Sequence, residues 1–143
     1  PLNTPGTRLW ELGATACTDV TGFGLTGHGL EMARGADVQL VIESARIPQL
    51  PRAAALCAEG FTCGGTRANA AHTGAAVATA SDLDAGMLGL LHDPQTSGGL
   101  LVAVPAGRCD DLRAAVLDAG ALCAEIVGEV REHRPGEPHL VLD

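Results

Sequence analysis

One stretch constrains this chain more than any other: residues 14–35, Ala-Thr-Ala-Cys-Thr-Asp-Val-Thr-Gly-Phe-Gly-Leu-Thr-Gly-His-Gly-Leu-Glu-Met-Ala-Arg-Gly. A short apolar approach runs into Thr18-Asp19-Val20-Thr21, and a glycine-punctuated turn follows. A helical run then closes at Gly35, a residue suited to the first position past a helix end. Asp19 sits where the apolar stretch meets the turn, flanked by the hydroxyls of Thr18 and Thr21. Two readings fit it. It can cap the helix from Gly22 onward, since Asp is a preferred N-cap. It can also supply hard oxygens to Mg²⁺, which takes one or two carboxylates and keeps its other positions for water and phosphate. Spacing alone leaves both open, the cap being the commoner role.

The remaining punctuation predicts interleaved helices and strands. Residues 1–13 read as a linker or domain edge, proline-broken, with a short helix over 8–13; residues 14–143 read as one domain. In the first long helix Leu25, Gly29 and Met32 form one stripe, with His28 and Glu31 beside it. Val38-Gln39-Leu40-Val41-Ile42 is a strand by its β-branched content. Pro51 opens a helix running to Gly60. Residues 61–74 make a second glycine loop leading into a brief helix, and residues 75–80 give no clear signal. Ser81 or Asp82 caps a helix through Leu91, and Leu100–Val104 is a strand. An amphipathic helix spans 107–119 with Leu112, Ala115, Val116 and Ala119 inward. Strands are expected at 122–130 and 139–142. Such alternation gives an α/β or α+β domain.

Composition narrows the function classes. The chain has 143 residues, 46% of them hydrophobic, but only two Phe, one Trp and no Tyr, so its core is built from Ala, Val, Leu and Ile. Nine basic against 17 acidic residues leave a net charge of −8. With no basic cluster and no aromatic platform, nucleic acid is not an expected partner. An anionic substrate would need a metal, backbone N–H groups or another domain to offset the field. Five cysteines, with no C-x-x-C pair, argue against a disulfide framework or a zinc site and for a reducing, cytoplasmic setting. The histidines show no H-x-x-x-H spacing. No apolar run reaches membrane-span length and no signal peptide opens the chain. The start at Pro1, without an initiator Met, reads as a cut piece of something longer.

Three loops share a composition of Gly with Thr or Ser plus a polar or acidic side chain: Thr18–Gly24, Gly64–Asn69 and Asp93–Gly99. None is a Walker A or a Rossmann loop, but each offers backbone N–H groups for an anion nest. Each also has a plain reading. Thr66 is a candidate N-cap, Asn69 can bond nearby backbone, and Gly98-Gly99 can simply let two backbones pack. His28 reads as a packed or solvated histidine, and Cys17 as a small buried filler.

Taken together, Thr18-Asp19-Val20-Thr21-Gly22-Phe23-Gly24-Leu25 with Gly27-His28, Gly64-Gly65-Thr66 with Asn69, and Asp93-Pro94-Gln95-Thr96-Ser97-Gly98-Gly99-Leu100-Leu101 resemble the carboxy-terminal half of the selenophosphate synthetase (selenide, water dikinase) family. The resemblance spans roughly residues 14–130. That family lies in a superfamily with aminoimidazole ribonucleotide synthetase and thiamine monophosphate kinase. The resemblance implies an α+β (α/β layered) fold, a mixed β-sheet packed with helices. It implies conversion of ATP, selenide and water to selenophosphate, AMP and phosphate, in selenium metabolism.

It further implies Mg²⁺ and ATP as cofactors, Asp19 as the metal ligand, and Thr18, Thr21, Gly22, Asn69, Thr96, Ser97 and Gly98 around the nucleotide. No catalytic residue is implied in this half. The reactive Cys or selenocysteine, a Lys and further aspartates belong to the amino-terminal half, the expected partner, in a homodimeric full-length enzyme. The fragment alone is accordingly expected to be inactive. Asp19 and the Asp93–Gly99 loop are expected to border one polar mouth. The opening segment departs from the family by its prolines, no function is carried to 74–91, and His92 stands where relatives often carry Cys. Two other readings remain: another ATP-dependent enzyme of the superfamily, against which Asp93–Gly99 speaks, or a non-catalytic binding or dimerisation module.

Overall fold

The computed structural model describes residues 3–143. The elements are β1 (Ala16–Asp19), α1 (Gly24–Gly35), β2 (Val38–Ile42), α2 (Ala53–Ala58), α3 (Gly64–Thr73), β3 (Val77–Thr79), α4 (Ala85–His92), β4 (Leu100–Ala103), α5 (Cys109–Asp118), β5 (Gly128–Glu132) and β6 (Leu140–Leu142). The strands form two sheets. One is the antiparallel pair β1–β4. The other has the order β3-β6-β2-β5 and is mixed: β6 runs parallel to both β3 and β2, while β5 is antiparallel to β2. The fold is α+β, as the resemblance implies.

Position in the sheet explains the strand compositions. β2 and β6 are the inner strands, and Ile42, Leu140 and Leu142 are fully buried. β5 is an edge, and its Glu129, Arg131 and Glu132 are exposed, charges that discourage pairing with another chain. The main core joins Leu30 and Ala33 of α1, Leu40 and Ile42 of β2, Met87 and Leu91 of α4, Leu101 of β4, and β6. A second, smaller cluster of Leu9, Ala14 and Leu112 is flanked by Cys17, Leu100 and Val102. The β1–β4 ribbon therefore stands between two cores. Alternate residues of β4 serve each side, as the two-residue side-chain period of a strand requires.

Several local expectations are corrected. α1 starts at Gly24 with Phe23 at its N-cap and no side-chain cap, so Asp19 does not cap it. Gly35 is the last helical residue, and the left-handed backbone falls on Asp37 (φ +51°) instead. The buried face of α1 carries Thr26, Leu30 and Ala33, while Leu25 and Met32 are only partly buried at its margins. Cys63, not Thr66, is the N-cap of α3. Thr66 sits at the third helical position and accepts the Cys63 backbone N–H (3.2 Å), making a reciprocal capping box.

Asp84 rather than Ser81 or Asp82 caps α4, accepting the Met87 N–H at 2.9 Å. The expected strand at 122–130 is shifted to Gly128–Glu132. Leu122 is 82% exposed, and the chain reaches β2 only near the end of the expected span, where the Val127 carbonyl accepts the Glu43 N–H (2.8 Å) and a Cβ on Gly128 would meet the Val41 carbonyl at 1.9 Å. Ala119, expected inward, is exposed beyond the end of α5. Residues Thr4–Arg8 form a 3₁₀ turn, and Leu9, 2% exposed, anchors that opening segment in the small core. Among the described residues no helix is long and apolar enough to cross a membrane.

Candidate functional site

The three glycine loops, far apart in sequence, meet at one edge of the domain. The β1–β4 ladder sets Asp19 opposite Leu100. Beyond it, the Val20 N–H donates to the Gly99 carbonyl (2.9 Å) and the Gln95 N–H to the Thr21 carbonyl (3.0 Å). Across a ladder Cα atoms stand about 5 Å apart, and the three residues from Leu100 back to Ser97 reach at most about 11 Å. The Cα atoms of Asp19 and Ser97 therefore lie within about 16 Å of each other, and the first and third loops adjoin.

Asn69 ties in the second loop. Its amide nitrogen donates to the Gly22 carbonyl and to the His92 carbonyl, both at 2.9 Å. The side chain is 8% exposed, so these bonds lie out of competition with water. Thr66 is joined to the third loop by its hydroxyl, which donates to the Asp93 carboxylate.

Two glycines allow the close approach. Gly24 is left-handed (φ +68°), and a Cβ there would lie 2.7–2.8 Å from the carbonyl carbon and oxygen of His92. A Cβ on Gly98 would stand 1.9 Å from the Val20 carbonyl oxygen. The Thr26 hydroxyl adds a bond to the Leu91 carbonyl (3.3 Å), fastening the start of α1 to the end of α4.

His28 holds the turn after β1. Its Nε2 lies 3.0 Å from the Thr21 hydroxyl and 3.4 Å from the Phe23 N–H. A backbone N–H only donates, so Nε2 is the acceptor and the ring proton sits on Nδ1, 3.6 Å from Glu31. Reading His28 by residue type missed this role. The signal available in sequence was its place one helical turn past Gly24, where its ring reaches back over the turn.

Against this closed framework some groups remain open. Asp19 is exposed, and among the described residues its carboxylate accepts no hydrogen bond and joins no ion pair. Thr96 and Ser97 are exposed too, and their hydroxyls make no bond among the described residues. The Thr18 hydroxyl donates only to the Asp19 carbonyl at 3.2 Å. A single hard carboxylate with hydroxyls nearby is a donor set that fits Mg²⁺. An open groove of about 450 Å³ between α3, β3 and α4 is lined by Thr66, Arg67, Thr79, Leu88 and His92 but not by Asp19, Thr96 or Ser97.

The thiols differ. Burial, with the neighbouring Asp19 charge, pushes Cys17 above the ordinary thiol range, which disfavours its thiolate. Hydrogen bonding from Thr66 and the first backbone N–H groups of α3 pulls the exposed Cys63 below that range.

The family described as AIR synthase related protein, C-terminal domain, matches residues 6–140. The selenide, water dikinase of Pseudomonas straminea is 44% identical over 135 residues, covering 94% of this chain and 38% of that protein. That of Bordetella bronchiseptica is 48% identical over 136 residues, with the same coverages. That of Nitratidesulfovibrio vulgaris is 38% identical over 142 residues, 99% of this chain and 40% of the relative. The chain thus spans about two fifths of the length of these relatives. With its α+β fold and its three joined loops, the chain belongs to the AIR synthase related C-terminal domain family and is similar, within it, to the selenide, water dikinases.

Proposed function

We propose that this domain serves a selenide, water dikinase, the cytoplasmic enzyme that forms selenophosphate, AMP and phosphate from ATP, selenide and water. Its part is to present Asp19 to a Mg²⁺–nucleotide site shared with an amino-terminal half, in a homodimeric full-length protein. One observation carries the reading. Every buried polar group of the three loops is used in joining them, whereas the Asp19 carboxylate at their edge is exposed and, among the described residues, without a protein partner. Charge supports it: a domain of net charge −8 needs a cation beside any polyphosphate.

When bound, Mg²⁺ would neutralise charge on the phosphates, the main demand of phosphoryl transfer. The chain's own groups orient. His28 and Thr21 fix the turn after Asp19, and Asn69 holds Gly22. Thr96, Ser97 and the Gly98 backbone offer hydrogen bonds on the neighbouring loop, and the Thr18 hydroxyl bonds the Asp19 carbonyl. Burial disfavours the thiolate of Cys17, and in this reading the reacting group belongs to the amino-terminal half, so that the domain alone would lack turnover.

The test is Asp19→Asn in the full-length enzyme. Amide for carboxylate keeps the shape and removes the charge. Selenide-dependent AMP formation should fall by at least about 100-fold, more than the loss of an outer-shell partner, with an unchanged thermal transition. Turnover within about twofold of the parent enzyme, at unchanged Mg²⁺ dependence, would refute the assignment.

A further inference from the structure

We propose that Asp37, His133 and His139 form a binding site for a divalent transition metal of the Zn²⁺, Co²⁺ or Ni²⁺ type, at the opposite end of α1 from Asp19. The twelve residues of α1 put about 18 Å between the Thr21–Gly24 turn and Asp37, so the two sites are independent.

The sheet gathers the three residues. Asp37 directly precedes β2, His133 follows β5, and His139 precedes β6. β2 lies between β5 and β6, with Val38 opposite Glu132 and Leu40 opposite Leu140. All three side chains therefore emerge at one end of the sheet. One ligand atom from each lies within 4.8 Å of the other two.

Hydrogen bonds fix which ring nitrogens are free. His133 Nε2 is 3.0 Å from the Glu137 carbonyl, and His139 Nδ1 is 2.9 Å from the Val38 carbonyl. A carbonyl only accepts, so each of these nitrogens donates. In the neutral rings the lone pairs are left on His133 Nδ1 and His139 Nε2. This is the arrangement found at histidine metal ligands, whose second nitrogen donates to a backbone carbonyl or a carboxylate.

His133 Nδ1 in turn lies 3.2 Å from Asp37 Oδ1. Two lone-pair atoms that close repel unless a cation lies between them. The separation falls between the roughly 2.9 and 3.4 Å spacings of two ligands held at about 2.0–2.1 Å on one octahedral or tetrahedral ion. Two imidazoles and one carboxylate suit a borderline metal rather than Mg²⁺ or Ca²⁺, which favour oxygen.

Asp37 is well exposed and His133 about one-sixth so, leaving a ligand position open to water. The two rings stack with centroids 3.7 Å apart and planes 20° from parallel. They must splay for both lone pairs to reach one ion, so loading changes the ring contact as well as filling the site. A proton on His133, paired with Asp37, is the competing occupant.

The experiment is calorimetric titration of the chain with Zn²⁺ at pH 7.5 under a non-thiol, non-chelating reductant, repeated with Co²⁺ to read its d–d absorption. One equivalent should bind, with visible bands of a nitrogen- and oxygen-ligated Co²⁺ and no thiolate charge-transfer band. Affinity should fall at least tenfold in Asp37→Asn, His133→Gln and His139→Gln, and stay unchanged in a Cys63→Ser/Cys123→Ser double variant. Asn tolerates the left-handed backbone at position 37, so Asp37→Asn reads ligation without disturbing the turn. Circular dichroism checks that each variant is folded. No binding of either ion at submillimolar concentration would overturn the proposal. So would binding that survives Asp37→Asn and His133→Gln together, or that disappears in the cysteine double variant.

Discussion

Replacing Asn69 tests whether the three loops are held by one side chain. Its amide nitrogen makes two hydrogen bonds of 2.9 Å, to Gly22 and His92, and the residue is 8% exposed. Asn69→Ala removes both bonds and leaves two acceptors short of a donor. At about 1 kcal/mol per bond, plus part of the desolvation penalty of the abandoned carbonyls, the loss is about 2–3 kcal/mol. Asn69→Asp keeps the shape but turns a donor into an acceptor facing two acceptors, and buries a charge. It should cost about 1–3 kcal/mol beyond the alanine variant at pH 7.

The sign of its pH dependence follows. The introduced carboxyl has a folded-state pKa above its unfolded value of about 3.9, since its surroundings disfavour the charged form. Its protonated form restores one donor. Stability from that proton is fully present below about pH 4 and is lost as pH rises through the folded value. The gap between the two variants should therefore close, and reverse, between pH 7 and pH 4. Urea unfolding of both variants at the two pH values measures it. An Asn69→Ala loss under 0.5 kcal/mol, or a gap that does not change with pH, would refute the stapling argument.

Gly98 and Gly99 should respond oppositely to alanine. A Cβ on Gly98 would stand 1.9 Å from the Val20 oxygen, so Gly98→Ala must open the β1–β4 end at a cost of about 2–4 kcal/mol from overpacking and the strained Val20–Gly99 bond. Among the described residues nothing lies within 4 Å of a Cβ on Gly99, so Gly99→Ala should change stability in urea unfolding by less than about 0.5 kcal/mol, and equal losses would contradict the packing account. Among the thiols, iodoacetamide labelling followed by peptide mass spectrometry should show Cys63 reaching its half-maximal rate below pH 9 and Cys17 above it, because hydrogen bonding lowers the first and burial raises the second; the same profile for both would refute the assigned causes.

What could be read from the sequence was local. β2 and β6 were legible because a β-branched or aliphatic run between polar breaks has few other uses, and α1 by its glycine turn and helical run, although its buried face carries Thr26, Leu30 and Ala33 rather than Leu25 and Met32. The pairing of β1 with β4 was not, since their partner residues stand more than eighty positions apart and nothing in either segment encodes the register. The cap at Asp84 is not singled out in the sequence because Ser81, Asp82 and Asp84 are all competent caps, and the choice rests on where α4 meets α2: a Cβ on Gly86 would meet the Ala54 carbonyl at 2.2 Å. The histidines at 133 and 139 carried no spacing signal, as their convergence on Asp37 depends on strand order. The residue type of Asn69 suits a ligand contact and a backbone bond alike, and only the fold shows its amide nitrogen bonded to two carbonyls.

That distinction gives a way to separate architecture from function within the motifs. Gly24 and Gly98 are accounted for by backbone contacts that no larger residue permits. Asn69, Thr66, Thr26 and His28 are accounted for by bonds that close the edge. Folding thus explains most of what the three loops contain, including several residues whose type alone suggests ligand binding. It does not explain Asp19, Thr96 or Ser97, exposed polar groups that make no side-chain hydrogen bond among the described residues. A loop that served packing alone would gain nothing from them. The backbone bonds that join the first and third loops place these three on adjoining segments, and in the function proposed here a framework closed in this way would leave less ordering entropy to oppose binding. The residues that make the edge rigid and the residues left open on it are therefore different sets, and substitutions should separate them: the first set through stability, the second through turnover at unchanged stability.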